Sequence, residues 1–515
     1  MVDVAIGQLW LIENLNLRVP LPAVTSYCGP GARRTTTGNG RTIEKYSTPY
    51  APEETIAGHL KFALKNEPVD SAVMAAAMTA IRPNVIEDMV RAEPNGAFSR
   101  RAWFMYEFFT GETLDLPDAP VVQYTKALDP ELNIGSVGIN SVRHRVTNNM
   151  LGVPGFCLTV RQTPAIRSFQ QEGIDQQARE LVQDCDPKVL ARAVNYLYTK
   201  ETKSSFEIEH ERATGQKAER FVNALRQTAL FDPSSDQDLI DLQNQIVDPR
   251  YAAKGFRDFQ NFVGETIGYR EKVHFVCPRP QDLLSLMRDW AAMSARLQGC
   301  DDAVAAAAAI SFSFVFLHPF EDGNGRIHRF LIHHVLSREG FTPHEVLFPV
   351  SAAIVRDQKS YDAALESFSG PTMNLIDWEM NNSQQIVVKN DTSALYRYFD
   401  ATELVEYLYA KISETIRIDF REELDFMAIY DKAYKAVREV IDMPDRRASM
   451  FVNFYMQNNG SISKRKRAAF AELSDEDIRD LEAAIRFALD HDASEEEEDA
   501  PEETSSTDNR KAPPH

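Results

Sequence analysis

From Pro187 onward, hydrophobic residues recur at three- and four-residue intervals, and that spacing predicts helices. They fall at 187–200, 202–230, 236–247, 280–298, 302–317, 326–338 and 350–368, with a further helical region from about 390 to 489. One run is apolar on every side. Asp301 to Leu317 is almost all Ala, Val, Ile, Phe and Leu. That predicts a buried helix, since the run is too short and too interrupted by Ser to span a bilayer. Asp301 and Asp302 suit its N-cap, and Pro319 stops it at the preceding residue. Residues 268–280 instead place Val and Phe among alternating polar residues, which predicts a short strand or hairpin.

The first 150 residues are mixed. Residues 26–52, rich in Gly, Thr, Arg and Pro, read as a loop, while Glu54–Leu64 and Ala72–Ala80 read as helices. Arg100 to Phe109 is an aromatic run suited to a core helix or strand. Leu114–Leu132 and Val142–Val160 are less regular, with room for short strands.

Composition narrows the class. The chain has 515 residues, 43% hydrophobic and 26% charged, which is ordinary for several globular domains. No basic, apolar leader and no transmembrane run is visible, so a cytoplasmic protein without a membrane partner is expected. Five scattered cysteines without CxxC or zinc spacing fit a reducing compartment. The net charge is −20, of which the tail 491–515 carries −7. That balance disfavours non-specific nucleic-acid binding by the body, and the Glu-, Ser- and Pro-rich tail is expected to be disordered.

The chemistry concentrates at 318–329, His-Pro-Phe-Glu-Asp-Gly-Asn-Gly-Arg-Ile-His-Arg. The glycines lie in a loop that opens a helix, where backbone N–H groups and the helix dipole favour an anion. Gly323 and Gly325 allow amides to approach phosphate oxygens. Asp322 is a hard oxygen ligand suited to Mg²⁺ bound with a nucleotide phosphate. Arg326 and Arg329 share one helix face and can each fork onto phosphate. His318 can take a proton near neutral pH. A second Gly-Asn-Gly-Arg, at Gly38–Arg41, lacks the His-Pro-Phe and acidic lead and reads as a turn. His328, His333 and His334 lack the one-face pairing of a zinc helix, so no metal is assigned to them.

The run 318–329 resembles the signature loop of the Fic (filamentation-induced-by-cAMP) family, HPFx(D/E)GNGRxxR, at every fixed position. The resemblance implies a mainly α protein, a helical bundle with a small β-hairpin flap. It also implies a protein adenylyltransferase, a nucleotidyltransferase that moves AMP from ATP to a Ser, Thr or Tyr hydroxyl and releases pyrophosphate. Carried over, His318 is the base and Asp322 holds Mg²⁺ between the α- and β-phosphates. Gly323, Asn324 and Gly325 line the anion hole, and Arg326 and Arg329 grip the β- and γ-phosphates. Upstream, Ser205-x-x-x-Glu209 resembles the family's inhibitory motif (S/T)xxxE(G/N), with His210 where Gly or Asn is usual. Arg220, Asn223, Ala224 and Leu225 continue that resemblance. It implies autoinhibition by Glu209 pairing with Arg329. A hairpin at 268–280 would pair with the target's backbone, with Val273 and Phe275 as flap residues. Tyr361 is a candidate for the adenine side. Ser367, Phe368 and Ser369 stand where relatives often place Asn, which leaves the base open.

The expected organisation is a mixed α/β region over 1–185, a helical segment with the inhibitory helix over 186–235, and a Fic core over 236–385. A helical C-terminal domain over 386–490 and the tail 491–515 follow. Around Asn458-Asn459-Gly460, helix, turn and the basic run Lys464–Arg467 look helix-turn-helix-like, against a solvated basic face. Expected partners are a hydroxyl-bearing protein and the chain itself through auto-AMPylation. Nucleic acid and a homodimer are left open. So are three other readings: a Fic transferase with another donor, removal of AMP with Glu209 aligning a water, and a DNA-binding regulator acting through the C-terminal domain.

Overall fold

A computed structural model describes residues 3–38, 40–183, 185–267, 270–343 and 345–498. The chain divides into two compact units: residues 1–184 with 194–420, and residues 185–193 with 421–515. Both are mainly helical.

In the first unit, the stretch expected as a loop at 26–52 carries strands. Val24–Gly29, Arg34–Gly38 and Arg41–Ser47 join Val4–Ile6 in a four-stranded sheet. Val24–Gly29 and Arg41–Ser47 pair in parallel; the other pairings are antiparallel. The loop reading failed because Arg34–Gly38 is exposed along its whole length and shows no apolar alternation. Its threonines favour a strand nonetheless. Four helices follow, Ile56–Asn66, Ser71–Ala80, Pro83–Ala92 and Ala97–Thr110. Thr55 and Asp70 cap the first two. The aromatic run is helical core, with Trp103, Met105 and Tyr106 buried. Short strands appear at Thr125–Lys126, Ile139–Ser141, Val146–Asn148, Leu151–Val153 and Phe156–Leu158.

The helix Pro187–Ile208 runs unbroken through the pause expected near 201, because Glu201 and Thr202 are buried rather than turned to solvent. The break comes after Ile208, and Gly215–Arg226 forms the next helix. Asp236–Ile246 and Pro280–Arg296 lie close to their expected limits. The helix before the loop, Ala303–Leu317, is buried almost throughout and capped by Asp302, whose Oδ1 accepts from Ala305 N at 2.8 Å. The helix after it, Asn324–Arg338, is buried at twelve positions. The helix expected over 350–368 is two, Val350–Arg356 and Gln358–Met373, with Asp357 capping the second.

Residues 386–420 group with the first unit. Thr159 and Phe399 share a backbone hydrogen bond, Ala401 N donates to Thr159 O, and Arg161 pairs with Asp400 at 2.6 Å. Phe399 packs 4.5 Å from Phe368. The second unit has its own core of Val437, Phe451, Val452, Phe470, Leu481 and Ile485. Its helices include Arg421–Val440, Asp445–Gln457 and Asp475–Glu498. That last helix takes in residues 491–498 of the stretch expected to be disordered; residues 499–515 lie outside the described residues. Lys464–Arg467 is a single helical turn. Lys466 lies 4.2 Å over Phe454, and Arg467 donates to Phe470 O and Leu473 O at 2.7 Å each. Two of the four cations are thereby committed locally. No helix among the described residues is long and apolar enough to cross a membrane.

Candidate active site

The loop at 318–323 is shaped by the two buried helices it joins. His318 ends the first with φ 49°, a left-handed conformation uncommon for a side chain with a Cβ. Phe320 is buried, 5.5 Å from Phe256 and 6.4 Å from Phe314. The Asn324 side chain brackets it, accepting from Phe320 N at 3.0 Å and donating to Phe320 O at 2.8 Å. Gly323 has φ 91°, and a Cβ there would lie 2.9 Å from Val247 Cγ1. Geometry therefore requires glycine at this turn.

His318 Nδ1 lies 3.3 Å from Val315 O, which favours the proton on Nδ1 and leaves the Nε2 lone pair free. Burial, helped by the Arg257 guanidinium, pushes the imidazole down to about 4. The ring is neutral at pH 7 and able to accept a proton there.

Asp322 Oδ1 accepts from Gly323 N at 2.6 Å and from Arg326 Nη2 at 3.0 Å. Its side chain is 44% exposed, and Oδ2 makes no hydrogen bond among the described residues. Among those residues no group of three or more His, Cys, Asp or Glu clusters as a metal site. A lone carboxylate fits a Mg²⁺ that takes its other oxygens from phosphate and water.

The two arginines differ. Arg326 is 2% exposed and committed to the fold: Nη1 donates to Ile246 O at 3.2 Å, and the guanidinium lies 5.1 Å over Phe206. It also faces Glu211 at 3.5 Å. Arg329, 1% exposed, donates to Ser205 Oγ, Ser205 O and Glu209 Oε1, each at 2.8 Å.

Glu209 sits where an anion is favoured. A Cβ on Gly325 would overlap Glu209 Oε1, so the carboxylate lies directly on the first turn of the helix after the loop. Burial opposes ionisation of Glu209, but the Arg329 guanidinium more than offsets it and holds the carboxyl below its usual range. His210, at φ 56°, makes the turn that ends the long helix; His210 N donates to Glu207 O and Glu211 N to Phe206 O. A left-handed residue explains why Gly or Asn suits this position. Upstream, buried Glu201 accepts from Ser351 N at 2.8 Å and Ser351 Oγ, and meets His333 Nε2 at 3.0 Å. This ties the same helix to two others.

Tyr361, expected on the adenine side, is 7% exposed. Its ring neighbours are His328 at 6.2 Å and Tyr407 at 5.9 Å, and burial pushes the phenol up to about 12. The hairpin is formed by Phe262–Ile267 and Arg270–Val276, with Gly268 and Tyr269 outside the described residues. Val273 is half-buried. Phe275 is buried, within about 6 Å of Phe316, Phe368 and Tyr396, so it anchors the hairpin and is not free to meet a target. A bulge explains this: Val263 pairs with Phe275 and Gly264 with Val273, which leaves His274 as an extra residue.

Sequence reasoning missed Arg257, Gln243, Glu201 and Glu211. Gln243 Nε2 donates to Asp322 O at 3.2 Å and to Tyr251 O at 3.1 Å, strapping the loop. These are polar residues in stretches without a motif, and no local signal marks them.

A sequence model described as the Fic/DOC family matches residues 233–336. The chain thus carries a Fic/DOC domain over residues 233–336. The Fic match ends within the core expected over 236–385. The chain is 26% identical over 197 residues to protein adenylyltransferase fic-1 of Caenorhabditis elegans and 27% identical to that of Caenorhabditis briggsae. Each alignment covers 38% of this chain and 34% of the relative, so the chain spans about a third of their length. Among solved structures it is similar to a Fic family protein from Desulfovibrio desulfuricans, at 17% identity and TM-score 0.36, covering 68% of this chain and 98% of that one. It is also similar to a C. elegans Fic-1 fragment, at 17% identity and TM-score 0.30, covering 71% and 95%.

Proposed function

We propose that this Fic-domain chain is a protein adenylyltransferase that transfers AMP from ATP to a protein hydroxyl and is held inactive by Glu209. The observation that carries the reading is the Glu209 carboxylate on Gly325, paired with Arg329 at 2.8 Å. A carboxylate there occupies the place a terminal phosphate needs. With Glu209 displaced, the helix N-terminus and Arg329 bind the triphosphate, and Arg326 supports the loop from beneath. His318 Nε2 takes the proton of the acceptor hydroxyl. The hydroxyl oxygen bonds to the α-phosphorus, the bond from that phosphorus to the bridging oxygen breaks, and pyrophosphate leaves with the electron pair. Asp322 would hold a Mg²⁺, which would supply neutralisation of phosphate charge.

Hydrogen bonds between charged groups contribute about 1.5–3 kcal/mol. Solvent screening at the 37% exposed Glu209 side chain reduces this to about 1–2 kcal/mol. The reading is tested by incubating Glu209→Gly with ATP and Mg²⁺ and measuring intact mass. A gain of one AMP that vanishes in Glu209→Gly/His318→Ala supports it. A different adduct would assign another donor, and an adduct that persists without His318 would reject the base.

A further inference from the structure

We infer that Arg257 is a positioning residue that holds His318 and both roots of the hairpin as one rigid piece. This deepens the transferase reading and rests on it for its catalytic consequence. Arg257 is 6% exposed. Its guanidinium meets no carboxylate within 4.0 Å among the described residues and is neutralised by carbonyl dipoles instead. Nε donates to His318 O at 2.8 Å, and Nη1 to Phe259 O at 2.7 Å. Nη2 donates to Pro278 O at 2.8 Å and Leu317 O at 3.4 Å. The Arg257 backbone N–H donates to Pro319 O at 2.8 Å.

These acceptors fall in three places. Leu317 and His318 are the last carbonyls of the helix before the loop, which have no helical donor and carry the negative end of the dipole. Phe259 precedes the first strand of the hairpin, and Pro278 follows the second. Cys277 N donates to Asn261 O at 3.1 Å, closing the hairpin just above this anchor.

Burying a cation without a counter-ion is costly, and burial lowers the affinity of this guanidinium for its proton. What the guanidinium supplies is a planar fork reaching carbonyls on separate segments, a pattern the three donors of a lysine on a single atom do not reproduce. It also clamps His318 in its left-handed conformation, which a Cβ disfavours. The base and the hairpin beside it therefore keep a fixed offset, and an acceptor chain docked on the hairpin presents its hydroxyl to Nε2. A misplacement of about 1 Å costs roughly 10²-fold in rate.

The test uses Arg257→Lys and Arg257→Gln, each in full-length protein carrying Glu209→Gly. Steady-state AMP transfer, thermal unfolding and amide hydrogen exchange are measured together. The expected result is a kcat lower by about 10²-fold with KM for ATP within about threefold, because the phosphate-binding groups are untouched. Faster exchange at the Arg257, Cys277 and His318 amides accompanies it, with a cooperative unfolding transition retained. An unchanged kcat in a folded variant overturns the inference. So does a loss carried mainly by KM for ATP, or loss of cooperative unfolding in both variants, which would make Arg257 a general determinant of the fold. If the Glu209→Gly parent transfers nothing, the transferase reading fails. The exchange measurement then decides the structural inference alone, and unchanged protection at those amides overturns it.

Discussion

The tetrapeptide Gly-Asn-Gly-Arg occurs twice, at Gly38–Arg41 and Gly323–Arg326, and the two copies do different things. The first connects two strands: Gly38 ends one and Arg41, paired with it, begins the next. Gly38, Gly40 and Arg41 are exposed. The second opens a buried helix, and its arginine is 2% exposed. A Cβ on Gly38 meets nothing within 4 Å, whereas one on Gly325 overlaps Glu209 Oε1. Of the two copies, only the second lies where a helix dipole, a buried arginine pair and a preceding histidine converge. The comparison also shows why a short glycine motif is weak by itself.

Alanine substitution should break the symmetry most sharply. Gly325→Ala fills the space shared by Glu209 and any bound phosphate, so in the Glu209→Gly background it should lower AMP transfer by about 10²-fold or more. Gly38→Ala should leave transfer unchanged, as a radiolabelled-AMP assay would read.

The arginines give a second contrast, in stability. Arg326→Ala removes bonds to Ile246 O and Asp322 and leaves Phe206 and Glu211 without their cation. It should cost about 2–4 kcal/mol in denaturant unfolding, because it leaves a cavity against Phe206 and takes the donor from the buried Ile246 carbonyl. Arg41→Ala, on an exposed strand, should fall within about 0.5 kcal/mol of the parent.

Acid should act on the second copy and spare the first. Burial pushes His318 and His334 down to about 4 and His328 to about 3. All three are neutral in the folded chain, while the unfolded chain protonates them near 6.5. Between about pH 6.5 and 4 the unfolded state binds more protons, so their contribution is fully present above pH 6.5 and is lost as pH falls. Unfolding midpoints at pH 7.5, 6 and 5 should therefore decline, and His328→Phe should flatten that decline. A slope unchanged by the substitution would place the acid sensitivity elsewhere.

Glu211 sharpens the picture least in magnitude. It faces Arg326 at 3.5 Å and is partly exposed. Glu211→Gln should raise transfer only about two- to threefold, measured alongside Glu209→Gly, since screened pairs at such distances contribute little.

Much of this was legible in the chain. Asp301–Leu317 announced a buried helix because it is apolar on every side, and the run 318–329 announced a Fic/DOC domain because nine specified positions agree. The pairing of Glu209 with Arg329 followed from resemblance to the inhibitory motif, while the bonds from Arg329 to Ser205 did not. Other features depend on contacts far apart in sequence. Arg257 acts through carbonyls at 259, 278, 317 and 318, and no local pattern encodes that set. Residues 386–420 read as the start of a C-terminal domain because they are partly helical, yet Phe399 and Asp400 pair with Thr159 and Arg161 of the first unit. Phe275 read as a target-docking flap residue by resemblance, and a single bulged residue placed it in the core.

The central claim is that the Glu209 carboxylate stands in for a phosphate at the helix start. Initial rates of AMP incorporation at saturating ATP and Mg²⁺, compared between the parent chain and Glu209→Gly, test it most directly. Removing a contact of about 1–2 kcal/mol predicts a rise of roughly 5- to 30-fold. Equal rates in two equally folded proteins would contradict it.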